Sequence, residues 1–184
     1  LAVGAYGIAN KVAFIFVMIN MGVNQGMQPI AGYNYGSQQL DRMMKVLKYA
    51  IIVATIIMTT GFLIAMFIPS QCARLFTTDQ TLIELSAKGI RYTMVMFPVV
   101  GYQMVISNFF QSIGKAKISI LLSLSRQLLI LLPLIVVLPP IFGINGVWAA
   151  MPASDFLAAV MAAWIMIVHV RNFKKQHKEM TYGK

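Results

Sequence analysis

Five long runs with no charge, or almost none, constrain this chain more than any other feature. About 20 apolar residues cross a bilayer as a helix, and runs of that kind stand at about 5–33, 46–68, 92–114, 118–138 and 144–168. The stretches Tyr49 to Ile68 and Tyr92 to Gly114 contain no Asp, Glu, Lys or Arg; the fourth run contains only Arg126 and the fifth only Asp155. Hydrocarbon offers no water to a bare peptide group, so a spanning segment must satisfy its own backbone as a helix or as part of a closed barrel. Runs of this length predict an all-α integral membrane protein with five transmembrane helices. Composition agrees: 11% of residues are charged, where a soluble domain carries about a quarter, and the mean hydropathy is +0.75.

The net charge of +10 would suggest nucleic acid if the bases formed one patch. They stand instead at the edges of the apolar runs, as topology signals do, and no nucleic-acid partner is expected. Arg42, Lys45 and Lys48 follow the first run, Lys115 and Lys117 the third, and Arg171, Lys174, Lys175, Lys178 and Lys184 the fifth. If the spans alternate, these three places share one side. The other side has Arg74, Lys88 and Arg91, offset by Asp79 and Glu84, and the uncharged loop PPIFGINGVW. The positive-inside rule then predicts a multi-pass plasma (inner) membrane protein with residues 171–184 as a basic cytoplasmic tail and residues 1–170 as the membrane part. Lys11 falls near the outer face, where it either snorkels to headgroups or points into a cavity. The chain opens at Leu1 inside a helical pattern, which reads as a piece of a longer polypeptide.

Chemistry-bearing constellations are scarce. Cys72 is the single cysteine; no metal cluster, phosphate-binding loop or nucleophile–base pattern stands out, so neither an enzyme nor a cofactor is expected. His169 and His177 fall in the basic tail and read as solvated. In the long outer connector, TTDQTLIELSAKGI places Leu82, Leu85 and Ile90 near helical spacing behind a capping Thr78 or Asp79. That predicts a short amphipathic helix at about 80–90 on the outer surface.

Polar residues inside the spans recur in register. Asn20, Asn24 and Gln28 follow each other at four-residue spacing, as do Gln103, Ser107 and Gln111, with Asn108 alongside, and Ser119, Ser123 and Gln127. Such spacing puts each set on one helix face. Each residue alone can be interhelical glue, at roughly 0.6 kcal/mol per bond. Several stripes together point to a shared, at least intermittently hydrated cavity, lined by Asn20, Asn24, Gln28, Gln103, Ser107, Asn108, Gln127 and Asp155.

Pro29, Pro98, Pro133 and Pro152 lie within four of the five runs. A proline removes a backbone donor and can bend its helix, and bent helices around a polar interior are typical of transporters. Arg126 lies about 12 Å from the cytoplasmic end of its span and Asp155 about 20 Å from that end of the next, at about 1.5 Å per residue. Three readings follow: a stretched ion pair, Arg126 snorkelling inward, or Asp155 contacting a cation, a proton or a cationic substrate. Trp148, Pro152 and Asp155 share a helix face, with Trp148 in the outer aromatic belt or stacking on a ligand. The fourteen methionines are expected mostly in packing and against lipid.

The stretch GMQPIAGYNYGSQQ, from Gly26 to Gln39, ends the first run oddly. Pro29 can distort the helix end, Gly32 and Gly36 let a neighbouring backbone approach, and Asn34 tolerates a left-handed conformation if the helix stops there. Tyr33 and Tyr35 suit the headgroup layer. A bendable, closely packed helix end beside a polar stripe suits a moving part.

Those residues, extended to GMQPIAGYNYGSQQLDRM, resemble the second-lobe motif of the MATE family, multidrug and toxic compound extrusion transporters. ARLFTTD, SNFFQSIGKAKISILLSLSRQ and FGINGVWAAMPASD follow in the expected order, and the branch resembled is that of bacterial DinF-like and MepA-like exporters. The resemblance implies a two-lobed fold of twelve helices, of which this chain would be helices eight to twelve, with the first lobe supplied by the rest of the polypeptide. It implies export of small organic, amphipathic, often cationic compounds in exchange for H+ or Na+, by lobes that rock to open a central cavity alternately to each side. Some members place coupling acids on the seventh and tenth helices. The matching stretch here, Tyr92 to Gly114, has no Asp or Glu, so coupling would rest elsewhere. Two other readings stand beside this one: a lipid-linked oligosaccharide flippase, which would line its cavity with more Arg and Lys, and a non-transporting membrane scaffold.

Overall fold

Apolar runs that must bond their own backbones become helices, and local chemistry decides where each one stops. The computed structural model describes residues 2–182. Helix α1 covers Ala2–Gly36, α2 Leu40–Phe67, α3 Pro69–Arg74, α4 Gln80–Met94 and α5 Phe97–Ser112. Helix α6, Ala116–Leu124, runs directly into a π-helical segment, Ser125–Leu131, and then into α7, Leu132–Phe142; α8 covers Ile144–Tyr182. No strand occurs among the described residues. The side chain of Trp148, with those of Lys174, Lys175, His177, Lys178 and Lys184, lies outside the described residues.

Four helical stretches are long and apolar enough to cross a membrane, at Val3–Gly36, Leu40–Phe67, Ala116–Leu138 and Ala150–Phe173. Helices α4 and α5, bent by 47° from each other, are long and apolar enough for a fifth crossing only when taken together as one broken span. This differs from the uninterrupted span expected at 92–114. The 16 residues of α5 reach only about 24 Å, short of the ~30 Å hydrocarbon layer. Pro98 does not bend a helix from within. It sits in the first turn of α5, where no N–H is needed, and the Met96 carbonyl accepts from both Val99 and Val100 at 3.0 Å. Helix α4 is likewise more than a surface element: Ile83, Ala87, Ile90 and Met94 are buried, and it packs on α1 and α3. Asp79 caps it, its carboxylate accepting from the backbone N–H groups of Thr81 and Leu82 at 2.9 and 3.2 Å.

Pro133 acts differently again. Its ring offers no N–H to the carbonyl four residues back, and the chain before it widens into the π-helical turn, where the N–H of Leu132 bonds the carbonyl of Gln127. Pro29 and Pro152 lie inside α1 and α8, and both helices continue past them.

In lipid the packing of helices depends on close fit rather than on apolar transfer, and small residues mark the tight crossings. Ala54, Ala65, Ala158 and Ala162 are fully buried. An added Cβ at Gly61 would stand 2.8 Å from the Phe16 ring, and at Gly101 3.1 Å from the Ala54 carbonyl. Outward faces carry Ile19, Ile52, Val53 and Ile56, all exposed, as a lipid-facing surface requires. The interior divides into two apolar clusters. One gathers Met27, Met43, Leu47, Phe109, Phe110 and Phe173; the other gathers Ile8, Val12, Met58, Ile90, Met94 and Phe97.

The end of α1 departs from expectation in three details. Gly32 is a close approach, 2.9 Å from an added Cβ to the Ser112 carbonyl, but Gly36 faces open space. Asn34 stays helical and buried, donating to the Ile30 carbonyl at 2.7 Å, while the left-handed residue is Gln38, φ 59°. Tyr35 packs edge-on against Phe173 at 6.2 Å instead of facing headgroups. At the same end His169 is not a solvated tail residue. It lies in α8, half-buried, edge-on to Phe110 at 4.9 Å. The buried Phe173, under the Lys115 ammonium at 4.7 Å, carries the packed bundle past residue 170.

Candidate functional site

Helix geometry brings together a cavity of about 280 Å³ walled by four parts of the chain. α1 contributes Asn10, Phe14 and Val17 from one face. The α4–α5 bend contributes Thr93 and Phe97, with Val100 and Met104 further along α5. The π-helical segment supplies Arg126, and α8 supplies Met151, Ser154 and Asp155. Both breaks in helical regularity, the 47° bend and the π turn, therefore lie in its wall. Such interruptions inside a membrane are tolerated where they line a cavity.

Arg126 and Asp155 form a closed ion pair across this wall, Nε donating to Oδ1 at 2.7 Å. Counted at a regular α-helical rise, the sequence spacing makes that contact a stretched one. The π turn begins at Ser125, one residue before Arg126, so the regular rise assumed in that count does not hold here. The two partners differ in access: the Arg126 side chain is 41% exposed and that of Asp155 9%. A hollow of about 530 Å³ adjoins, sharing Asn10 and Phe14. There the Lys11 ammonium stands 5.9 Å from the centre of the Phe76 ring.

The polar stripes are not all gathered here. Asn20, Asn24 and Gln103 are buried between helices. Asn20 donates to the Met104 sulfur at 3.4 Å and Asn24 to the Asn20 carbonyl at 2.9 Å, while Asn20 Oδ1, Asn24 Oδ1 and Gln103 Oε1 are buried without a partner among the described residues. Gln28 and Asn108 bond each other at 2.9 Å across α1 and α5. Ser107 faces α6, within 3.0 Å of Ser123 Oγ and 3.3 Å of Ser119 Oγ, so two stripes expected to line a chamber meet as an interhelical seam. Gln127 is exposed on the outer surface of the π turn. Met104 joins the two regions, since it lines the cavity and also accepts from Asn20.

Tyr6, Asn10, Thr93 and Ser154 line the cavity, and none of them stands out by spacing. Ser154 bonds the Met151 carbonyl of its own helix at 2.8 Å, and a hydroxyl satisfied in that way leaves no periodic trace. Asn10 stands beside Lys11 at the edge of the first run, and its polarity is the one signal that could have been followed.

Long apolar helices, a bent helix pair and an ion pair between the apolar spans define a polytopic helical membrane protein. A family model described as MatE matches residues 1–137, and the chain belongs to the MatE family. "Multidrug export protein MepA" of Staphylococcus aureus (strain MRSA252) is 25% identical over 172 residues, which are 93% of this chain and 37% of that protein. Its counterpart in Staphylococcus haemolyticus (strain JCSC1435) is 23% identical over 165 residues, 90% of this chain and 36% of that protein. Among solved structures, the MATE multidrug transporter DinF-BH superposes with a TM-score of 0.82 at 35% identity, covering 91% of this chain and 37% of that one. A MATE in the bent conformation superposes at 0.86 with 20% identity, covering 94% and 38%, and shares the fold. This chain thus spans little more than a third of the length of the proteins it matches.

Proposed function

We propose that the chain forms most of one lobe of a cation-coupled antiporter that exports small amphipathic, often cationic compounds by alternating access. The observation that carries the reading is the cavity between apolar spans walled by the Arg126–Asp155 pair, in a chain of the MatE family. A pair of charges inside a span is costly and marks a polar path by default. The names of the relatives, a multidrug export protein and a multidrug transporter, support the substrate class. Gln127 is exposed within a span, and a polar group facing lipid is unfavourable. That surface therefore suits water or the remainder of the same polypeptide. Helix α5 has no acid and Asp155 is held by Arg126, so the coupling carboxylate for H+ or Na+ is assigned to that remainder. The excess of Lys and Arg at one end supports a cytoplasmic C-terminus in the plasma (inner) membrane.

The test uses the full-length protein in a pump-deficient strain. Resistance to ethidium and norfloxacin should rise several-fold, with efflux that depends on a proton or sodium gradient. Unchanged resistance across a panel of such compounds would overturn the reading. A flippase of the wider superfamily is disfavoured because a cavity for phosphate would carry several bases, and among the described residues this wall carries one, Arg126.

A further inference from the structure

We propose that α2 carries a binding site for one anionic phospholipid, a partner beyond the exported compounds and independent of the export reading. Arg42, Tyr49, Ile56 and Leu63 recur every seven residues, with Lys45 and Ile52 between them, so they share one helix face. All of them are exposed. Met43, Leu47, Ala50, Ala54 and Met58, on the other side of the same helix, are buried. Lys48 stands exposed at the edge of the stripe. No residue of α2 is among those that line either hollow, so the stripe is separate from the site described above.

Depth sorts the stripe into the parts of one amphiphile. Tyr49 and Phe67, both exposed, stand about 27 Å apart along the helix at ~1.5 Å per residue, with no charge between them. That length matches the ~30 Å hydrocarbon layer and puts the Tyr49 ring at its edge, where aromatic side chains are favoured. Lys48, Lys45 and Arg42 then stand about 1.5, 6 and 10.5 Å beyond Tyr49, through the headgroup layer. On the other side of Tyr49, Ile52 and Ile56 offer bare hydrocarbon to an acyl chain, and Thr60 beside them returns its hydroxyl to the Ile56 carbonyl at 2.9 Å. The three bases make no ion pair among the described residues. Asp41, in the first turn, offsets one of them, so three bases less one acid leave +2 over 40–49. Arg and Lys are the donors that phosphate oxygens take most strongly. A soluble phosphate would use the bases and leave the apolar stripe idle. A zwitterionic lipid would cover the stripe but bring its own cation to the bases. An anionic phospholipid such as phosphatidylglycerol uses both.

The test reads lipid preference at one place on the full-length protein. A bimane label is attached at Ile56→Cys, in a version whose other cysteines are serine. The protein is reconstituted into vesicles that hold brominated phosphatidylglycerol or brominated phosphatidylcholine, and quenching measures how strongly each lipid associates beside the label. Phosphatidylglycerol should associate at position 56 about ten-fold or more strongly, as a net of two bases near an anionic headgroup implies. The same label at Leu63→Cys, on the same stripe but toward its far end, should show no preference. Replacing Arg42, Lys45 and Lys48 together by Gln should bring position 56 to parity. Lys117→Gln, which removes an exposed base outside α2, should leave the preference in place, as should millimolar glycerol 3-phosphate in solution. Parity at position 56 in the parent protein, an equal preference at position 63, an equal loss in Lys117→Gln, or displacement by glycerol 3-phosphate would each overturn the proposal. If the triple variant does not fold, Arg42→Gln and Lys45→Gln decide: each should lower the preference a few-fold, and no change in either overturns it. Ethidium efflux is scored apart. Full-length protein that effluxes the dye but shows parity at position 56 overturns this inference alone; protein that effluxes nothing yet prefers phosphatidylglycerol there overturns the export reading alone.

Discussion

Single residues decide how closely these helices approach. Gly32 and Gly36 are equivalent in spacing but not in surroundings, because α5 ends against one and not the other. Gly32→Ala drives a Cβ to 2.9 Å from the Ser112 carbonyl, a backbone atom that cannot swing aside. Overpacking of that kind costs about 1–3 kcal/mol, offset in part by the better helix propensity of alanine, about 1 kcal/mol. Thermal melting of the full-length protein should therefore show Gly32→Ala destabilised, with Gly36→Ala neutral or slightly stabilised; the reverse order would contradict the packing. The Gln28–Asn108 bond gives a second measurement. A double-mutant cycle should return a coupling near 0.6 kcal/mol and not above about 1.7 kcal/mol.

Elements start, stop and widen for reasons that are local and partly legible in advance. Asp79 is one of two capping candidates in the sequence, and the structure uses it for two N–H groups. Asp79→Ala should cost about 1 kcal/mol and speed hydrogen exchange at Thr81 and Leu82 without touching α8. Prolines are legible as breaks, but their consequences depend on position. Pro98 opens a helix, Pro133 follows a π turn, and Pro29 and Pro152 lie within continuous helices. Periodicity cannot separate these outcomes, because it assumes the regular rise that a π turn breaks. Pro133→Ala restores the missing donor and should let the segment 125–131 tighten toward a regular α-helix. Measured as coupling in an Arg126/Asp155 double-mutant cycle, the ion pair should then weaken; unchanged coupling would show that the π turn does not aim Arg126.

Across the whole molecule, a polar layer separates two apolar clusters. Asn20, Asn24 and Gln103 fall along α1 and α5 between the residues of the two clusters, and three of their acceptor oxygens lack partners among the described residues. A buried unpaired acceptor costs about 1–3 kcal/mol, so a sequence selected for stability alone would place leucine there. Gln103→Leu should raise the melting temperature of the full-length protein while lowering efflux, a trade often seen where function needs a destabilised site. A variant less stable than wild type would mean that the Gln103 carboxamide is satisfied by a partner and serves the fold.

The order of amino acids was enough to make this chain helical and membrane-embedded, because hydrocarbon leaves long apolar runs few other uses. It also marked which residues are polar against the solvent's preference. Which of those residues meet was settled only by packing. Ser107 went to a seam with Ser119 and Ser123, Gln28 went to Asn108, and His169 joined Phe110 in the packed end of the bundle. Arg126 closed on Asp155. A four-residue spacing gives the face of a helix, but the rotation of one helix against the next is set by the fit of small residues at their crossings, and that fit is a property of pairs of helices.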